Sequence, residues 1–273
     1  MNNRDFGAPF LKNGKCYILA YDQGLEHGPS EDFNDRNADP ALIVDIANKG
    51  GYTGLALQKG TAEKYYDGKT PLILKLNGKS VLTKAEPISR QHCSVKYAEQ
   101  LGAKGVGYTV FLGSGHEAEM VKEWGHIQEE AHERGMGAIL WVYPRGTGVP
   151  SDTRPDIVAY AARAGLEFGA DIVKIKYSGD AKTFAWAVKV AGKAKVVMSG
   201  GPKTANDDAF LAQVRGTMEA GGAGLAVGRN VWQHPDPYKI SESIRKVIFE
   251  TKPDPRILSS PLSPLAMQAP AMA

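Results

Sequence analysis

The chain has 273 residues, 42% hydrophobic and 23% charged, with 33 basic residues against 30 acidic ones and a formal net charge of +3. That composition is ordinary for a globular protein, and the length suits one large α/β domain whose core needs no staples. So even a balance, without a run of like charge, argues against nucleic acid as a partner.

In chain order, short apolar runs predict strands at 16–22, 53–58, 71–76, 105–112, 137–143, 171–177, 195–200 and 224–229. Amphipathic runs predict helices at 40–49, 59–66, 94–101, 116–134, 155–169, 181–192, 206–220 and 237–250. Asp39-Pro40 and Arg154-Pro155 place proline near a first helical turn, and Gly50-Gly51, Gly135 and Gly169 read as helix stops. The polar stretch 77–92 reads as a hairpin-like excursion. Eight strand–helix units predict a parallel sheet, and over residues 1–250 their size fits a single (β/α)₈ TIM barrel. The competitor is an open doubly wound sheet. No G-x-G-x-x-G follows the first strand, which counts against its dinucleotide-binding form. Residues 251–273, rich in Pro, Ala and Ser, read as an extended or disordered tail.

Three further features bound the setting. MNNRDFGAPF lacks the apolar stretch of a secretion signal, and no run of about twenty apolar residues is present to cross a membrane. Cys16 and Cys93 make no C-x-x-C and no disulfide framework. A cytoplasmic protein without structural zinc is expected.

In such a barrel the chemistry lies at the C-terminal ends of strands. The first ends in YDQGLEHGP, where Asp22, Glu26 and His27 offer acid, base or ligand groups. The fifth ends in WVYPRG, bringing Trp141, Tyr143 and Arg145. A phenol near lysine ammonium groups is expected to titrate low, and a guanidinium suits a phosphate. The sixth, DIVKIKY, sets Lys174 and Lys176 on one face with Ile172, leaving Val173, Ile175 and Tyr177 on the other. A lysine in an apolar barrel beside another cation loses its proton more easily, and a neutral amine attacks carbonyls. The seventh and eighth end in MSGGPKT and VGRNVW. There Ser199, Gly200, Gly201, Gly228 and Arg229 fit a phosphate site built from backbone amides.

Together YDQGLEHGP, WVYPRG, VKIKYSGD, MSGGPKT and AVGRNVWQ resemble the archaeal-type class I fructose-1,6-bisphosphate aldolases. The resemblance covers roughly residues 5–250, with the motifs in family order. It implies reversible cleavage of fructose 1,6-bisphosphate to dihydroxyacetone phosphate and glyceraldehyde 3-phosphate, in glycolysis or gluconeogenesis, through a lysine Schiff base without metal or cofactor. It further implies Lys174 as the Schiff-base lysine, Tyr143 for proton transfer and Asp22 at the substrate hydroxyls and iminium. Trp141 would shape the pocket, and Ser199, Gly200, Gly201, Gly228 and Arg229 would hold the ketose-side phosphate. Arg145 and His27 would meet the rest of the sugar phosphate, while Lys176 would lower the pKa of Lys174 or meet a phosphate. Members form large homo-oligomers, often decamers.

Three other readings stay open on the residues. One is a sister Schiff-base aldolase or transaldolase acting on another phosphorylated ketose, as in the synthesis of aromatic amino acid precursors. Another is a metal-dependent lyase with Asp22, Glu26 and His27 as ligands, though a single histidine suits zinc poorly. The last is a non-catalytic barrel that binds sugar phosphates.

Overall fold

The computed structural model describes residues 5–22, 24–28 and 33–259. Its centre is a closed barrel of eight parallel strands: β1 (Cys16–Tyr21), β2 (Gly54–Gln58), β3 (Leu72–Lys75), β4 (Gly105–Leu112), β5 (Gly137–Pro144), β6 (Ile172–Ile175), β7 (Lys195–Ser199) and β8 (Gly224–Val227). β1 pairs with both β2 and β8, which closes the ring. A helix follows each strand: α1 (Pro40–Lys49), α2 (Lys59–Tyr65), α3 (Val95–Gln100), α4 (Glu117–Glu133), α5 (Pro155–Glu167), α6 (Ala181–Val190), α7 (Asp207–Glu219) and α8 (Pro237–Glu250). The TIM barrel expected from the alternation is therefore what forms, with most boundaries within two residues.

The strands bury both faces, so they read as continuous apolar runs. Alternation still sorts their side chains. Tyr17, Leu19, Val173, Ile175, Leu225 and Val227 point outward against the helices. Ile18, Ala20, Ile73, Ile139, Trp141, Ile172, Val197 and Ala226 point inward and fill the barrel with Phe10. Phe10 ends a short 3₁₀ turn, Ala8–Phe10, that plugs the N-terminal mouth. Gly105 and Gly137 make room for it: a Cβ would stand 2.6 Å and 3.2 Å from the Phe10 ring.

The excursion after β3 returns on itself, Asn77 pairing with Gln91 and Gly78 with Arg90 in an antiparallel ladder. Beyond α8 the chain passes the C-terminal end of α7 and packs against α6. The Asp254 amide donates to the Glu219 carbonyl at 2.9 Å, and Pro255–Leu258 makes one helical turn. The remainder of the tail region, 260–273, lies outside the described residues.

Candidate active site

Register determines which strand-end side chains meet. Trp141 on β5 lies beside Lys174 on β6, and Lys174 beside Val197 on β7. Lys174 therefore points inward above Ile172, only 2% exposed, with its Nζ 4.8 Å from the centroid of the Trp141 ring. The Trp141 ring leans over Gly107 of β4, where a Cβ would come 2.5 Å from it. From there it reaches Lys75 of β3, whose Nζ is 5.6 Å from its centroid. Two buried amines thus meet one indole.

A cavity of about 260 Å³ opens above this layer. Asp22, His27, Trp141, Tyr143, Arg145 and Lys174 line it, with Lys176, Ser199, Gly200, Gly201, Gly228 and Arg229 around the rest of the wall. Every site residue expected from the sequence is in this one cavity, and Glu26 and Thr109 join them. Gln58 lines a separate, larger hollow of about 480 Å³ on the far side of Asp22.

The electrostatics follow from burial. Desolvation brings the Lys174 ammonium down to about 8; the carboxylates of Asp22 and Glu26 oppose that drop, and Lys75 adds to it. Asp22 is 7% exposed, and its buried Oδ1 has no hydrogen-bond partner among the described residues. A buried carboxylate oxygen left unpaired is costly, which is the mark of a group held for a ligand. Desolvation also raises the Glu26 carboxyl.

Two expectations need correction. The Tyr143 phenol does not titrate low: desolvation pushes it well above its usual range, and a side-chain hydrogen bond with Ser199 and the Arg145 cation only partly offset this. Nor is Lys176 the cation that depresses Lys174. β6 ends at Ile175, and Lys176, in the wall of the same cavity, pairs with Asp152 at 2.6 Å. The second cation is Lys75, which reaches the layer from β3 because its own strand alternation puts it inward with Ile73.

The loops after β7 and β8 are tied together by Asn230, which is buried behind them. Its Nδ2 donates to the carbonyls of Gly200 (2.8 Å) and Pro202 (2.9 Å), and its Oδ1 accepts from the Thr204 amide at 2.9 Å. Gly201 takes φ +64°, a conformation that favours glycine. Asn230 follows Arg229 directly in the motif but carries no charge, so only its contacts reveal the role. The Arg145 guanidinium stacks 5.3 Å from the Tyr143 ring centroid, with its Nε 3.9 Å from Asp152.

Asp22, Glu26 and His27 share the cavity, yet among the described residues no three His, Cys, Asp or Glu side chains are grouped to hold a metal ion. No helix among the described residues is long and apolar enough to cross a membrane.

Comparison with known proteins bears on the same residues. The class I fructose-bisphosphate aldolase of Thermoproteus tenax is 53% identical over 245 residues, covering 89% of this chain and 93% of the relative. The fructose-bisphosphate aldolase/6-deoxy-5-ketofructose 1-phosphate synthase of Methanocaldococcus jannaschii is 37% identical over 242 residues, covering 82% and 77%. A solved archaeal fructose-1,6-bisphosphate aldolase, with its catalytic Lys covalently bound to the carbinolamine intermediate of the substrate, superposes with a TM-score of 0.87. It is 51% identical, with 89% of this chain and 98% of that one covered. The model of the DeoC/LacD family aldolases matches residues 16–234. With a closed parallel barrel, a buried strand-6 lysine and that extent of match, the chain belongs to the DeoC/LacD aldolase family.

Proposed function

We propose that this chain is a metal-independent class I fructose-1,6-bisphosphate aldolase, a lyase that needs no cofactor because its own lysine supplies the electron sink. The observation that carries this reading is the Lys174 amine: buried, depressed to about 8, and facing Asp22 across a polar cavity. A substantial fraction of such an amine is unprotonated near neutral pH and able to attack a carbonyl.

The steps follow from where the groups stand. Lys174 Nζ adds to the C2 carbonyl of the open-chain ketose, giving a carbinolamine. Tyr143, a full phenol because of its raised pKa, protonates the departing hydroxyl, and water leaves the iminium behind. Asp22 accepts the proton of the C4 hydroxyl through Oδ1, which has no partner among the described residues. The C3–C4 electrons then flow into the iminium, releasing glyceraldehyde 3-phosphate and leaving an enamine. The proton taken by Asp22 returns to C3 and regenerates the iminium; hydrolysis, with the Tyr143 phenolate taking a proton from the incoming water, frees dihydroxyacetone phosphate and Lys174 and restores both acid and base. Trp141 walls the reacting carbons. Ser199, Gly200, Gly201, Gly228 and Arg229 hold the ketose-side phosphate, while Arg145, Lys176 and His27 meet the distal end. A free phosphate-binding role would not need a buried reactive amine. The sister-aldolase reading is weaker: the relatives at 53% and 45% identity are named only as fructose-bisphosphate aldolases, and the second synthase activity appears in the name of the one at 37%.

The setting we propose is cytoplasmic, as the free Cys16 and Cys93 favour. The state we propose is a homo-oligomer, up to a decamer, of barrels spanning residues 1–250.

Borohydride trapping with dihydroxyacetone phosphate, then peptide mass mapping, tests the reading. Reduction should fix an adduct on Lys174, absent in Lys174→Ala. An adduct on Lys176 would overturn the assignment of the lysine. No adduct, with cleavage lost in chelator, would overturn the class.

A further inference from the structure

Lys75 is an unusual residue to bury. It lies in an otherwise apolar strand and is 0% exposed. Its Nζ donates to the Asn77 carbonyl at 2.9 Å and to Asn77 Oδ1 at 2.7 Å. Asn77 is itself fixed, donating through Nδ2 to the carbonyls of Ser89 (2.8 Å) and Thr109 (2.9 Å) and accepting at Oδ1 from the Thr109 amide (2.9 Å). Both acceptors of Lys75 are thus immobile oxygens, and the negative face of the Trp141 ring is a third stabilising surface.

Lys174 differs in one respect that decides the chemistry. It meets the same indole, 4.8 Å from the ring centroid, but among the described residues no oxygen accepts a hydrogen bond from its Nζ. The charged groups acting on Lys174 are Asp22 after β1, Glu26 in the next turn and Lys75 on β3. Its strand neighbours on β5 and β7, Trp141 and Val197, are neutral. Desolvation lowers Lys75 as well, the carboxylates of Glu26 and Asp22 oppose that drop, and after desolvation its charge helps to lower His92. Two ammonium groups in one dry layer repel, so the proton that leaves first is the one with fewer acceptors.

We propose that Lys75 is a positioning residue of the active site: the member of a two-lysine pair that keeps its proton on Asn77, so that Lys174 is the free amine. The proposal rests on the reading of Lys174 as the reacting lysine but not on any one substrate. The carboxylates of Asp22 and Glu26 neutralise Lys75 at longer range, which keeps the charged layer tolerable without a direct ion pair.

Limited reductive methylation of the full chain across pH 6–11, with peptide mapping at Lys174, tests it without substrate. In Lys75→Met the labelling midpoint of Lys174 should rise by about one pH unit. Labelling at pH 7 should fall about tenfold and meet the wild-type curve above pH 10. Lys75→Gln, which still donates to Asn77 but carries no charge, should behave as Lys75→Met does. Cleavage of fructose 1,6-bisphosphate should follow, reduced about tenfold at pH 7 and recovering as the pH rises. An unmoved midpoint in either folded variant overturns the proposal. So does a Gln variant that restores the wild-type curve, since Lys75 would then serve packing alone. If wild type labels as expected but forms no adduct with dihydroxyacetone phosphate, the aldolase reading fails and the lysine pair stands.

Discussion

Lys174 carries its amine into a layer where little water follows, and the environment sets the proton's affinity more than the side chain does. Tyr143 responds to the same burial in the opposite sense, because desolvation favours the neutral phenol. In the proposed reaction it therefore enters as a donor. Tyr143→Phe should fold normally while steady-state cleavage falls by about 10²–10⁴-fold; near-normal turnover would remove Tyr143 from the chemistry. Asn230 acts one step further out. Truncating it to Ala leaves the Gly200 and Pro202 carbonyls and the Thr204 amide without their partner, a loss of about 1–3 kcal/mol that falls mainly on the buried Gly200 carbonyl. The KM for fructose 1,6-bisphosphate should rise about tenfold or more with kcat less affected, and a kcat effect alone would contradict a phosphate-loop role. The residues legible in the sequence were those with reactive or charged groups at strand ends. Lys75, Asn77 and Asn230 were not, since a lone lysine in an apolar run and two neutral amides look like ordinary packing until their partners are in place.

At the scale of elements, the site depends on which strands leave space. β4 offers Gly105 and Gly107 inward, and the gap at Gly107 lets the Trp141 ring cross from β5 toward β3. Adding a methyl there forces the ring off its place. Gly107→Ala should therefore cost about 1–3 kcal/mol as an overpacked core does. The expected signs are a thermal midpoint several degrees lower, a changed near-ultraviolet tryptophan signal and slower trapping at Lys174. An unchanged signal with normal trapping would show that the indole position does not matter. Alternation in DIVKIKY sorted Lys174 from its neighbours, but it could not say that Lys176 lies past the strand's end. A strand's end is set by hydrogen bonds to β5 and β7, and those belong to the assembled sheet.

At the scale of the whole molecule, the reactive lysine works against stability. Its folded pKa, about 8, is below the ordinary 10.5, so the unfolded chain binds the proton more tightly. The penalty is full below about pH 8 and fades as pH rises from 8 toward 10.5, where both states become neutral. Lys174→Met, which removes the amine but keeps the volume, should abolish trapping yet raise stability at pH 7 by roughly 3 kcal/mol. The gap between variant and wild type in thermal unfolding should close by about pH 10.5. A variant no more stable than wild type at pH 7 would show that the amine is solvated better than its burial implies.

The sequence by itself determined the order and type of the elements, and with them the barrel. Apolar runs, helix stops such as Gly135 and Gly169, and the regular alternation of strand and helix are local properties, written in a few neighbouring residues each. It also determined which residues stand at strand ends, because that follows from where the apolar runs stop. Only the tertiary structure decided which of those residues share a cavity, which amine is flanked by a fixed acceptor and which way each phenol and ammonium titrates. Both faces of these strands are buried, so an apolar run does not reveal which side faces the barrel. Desolvation, register and the meeting of Lys75 with Lys174 at Trp141 arise only when strands distant in sequence close into one ring.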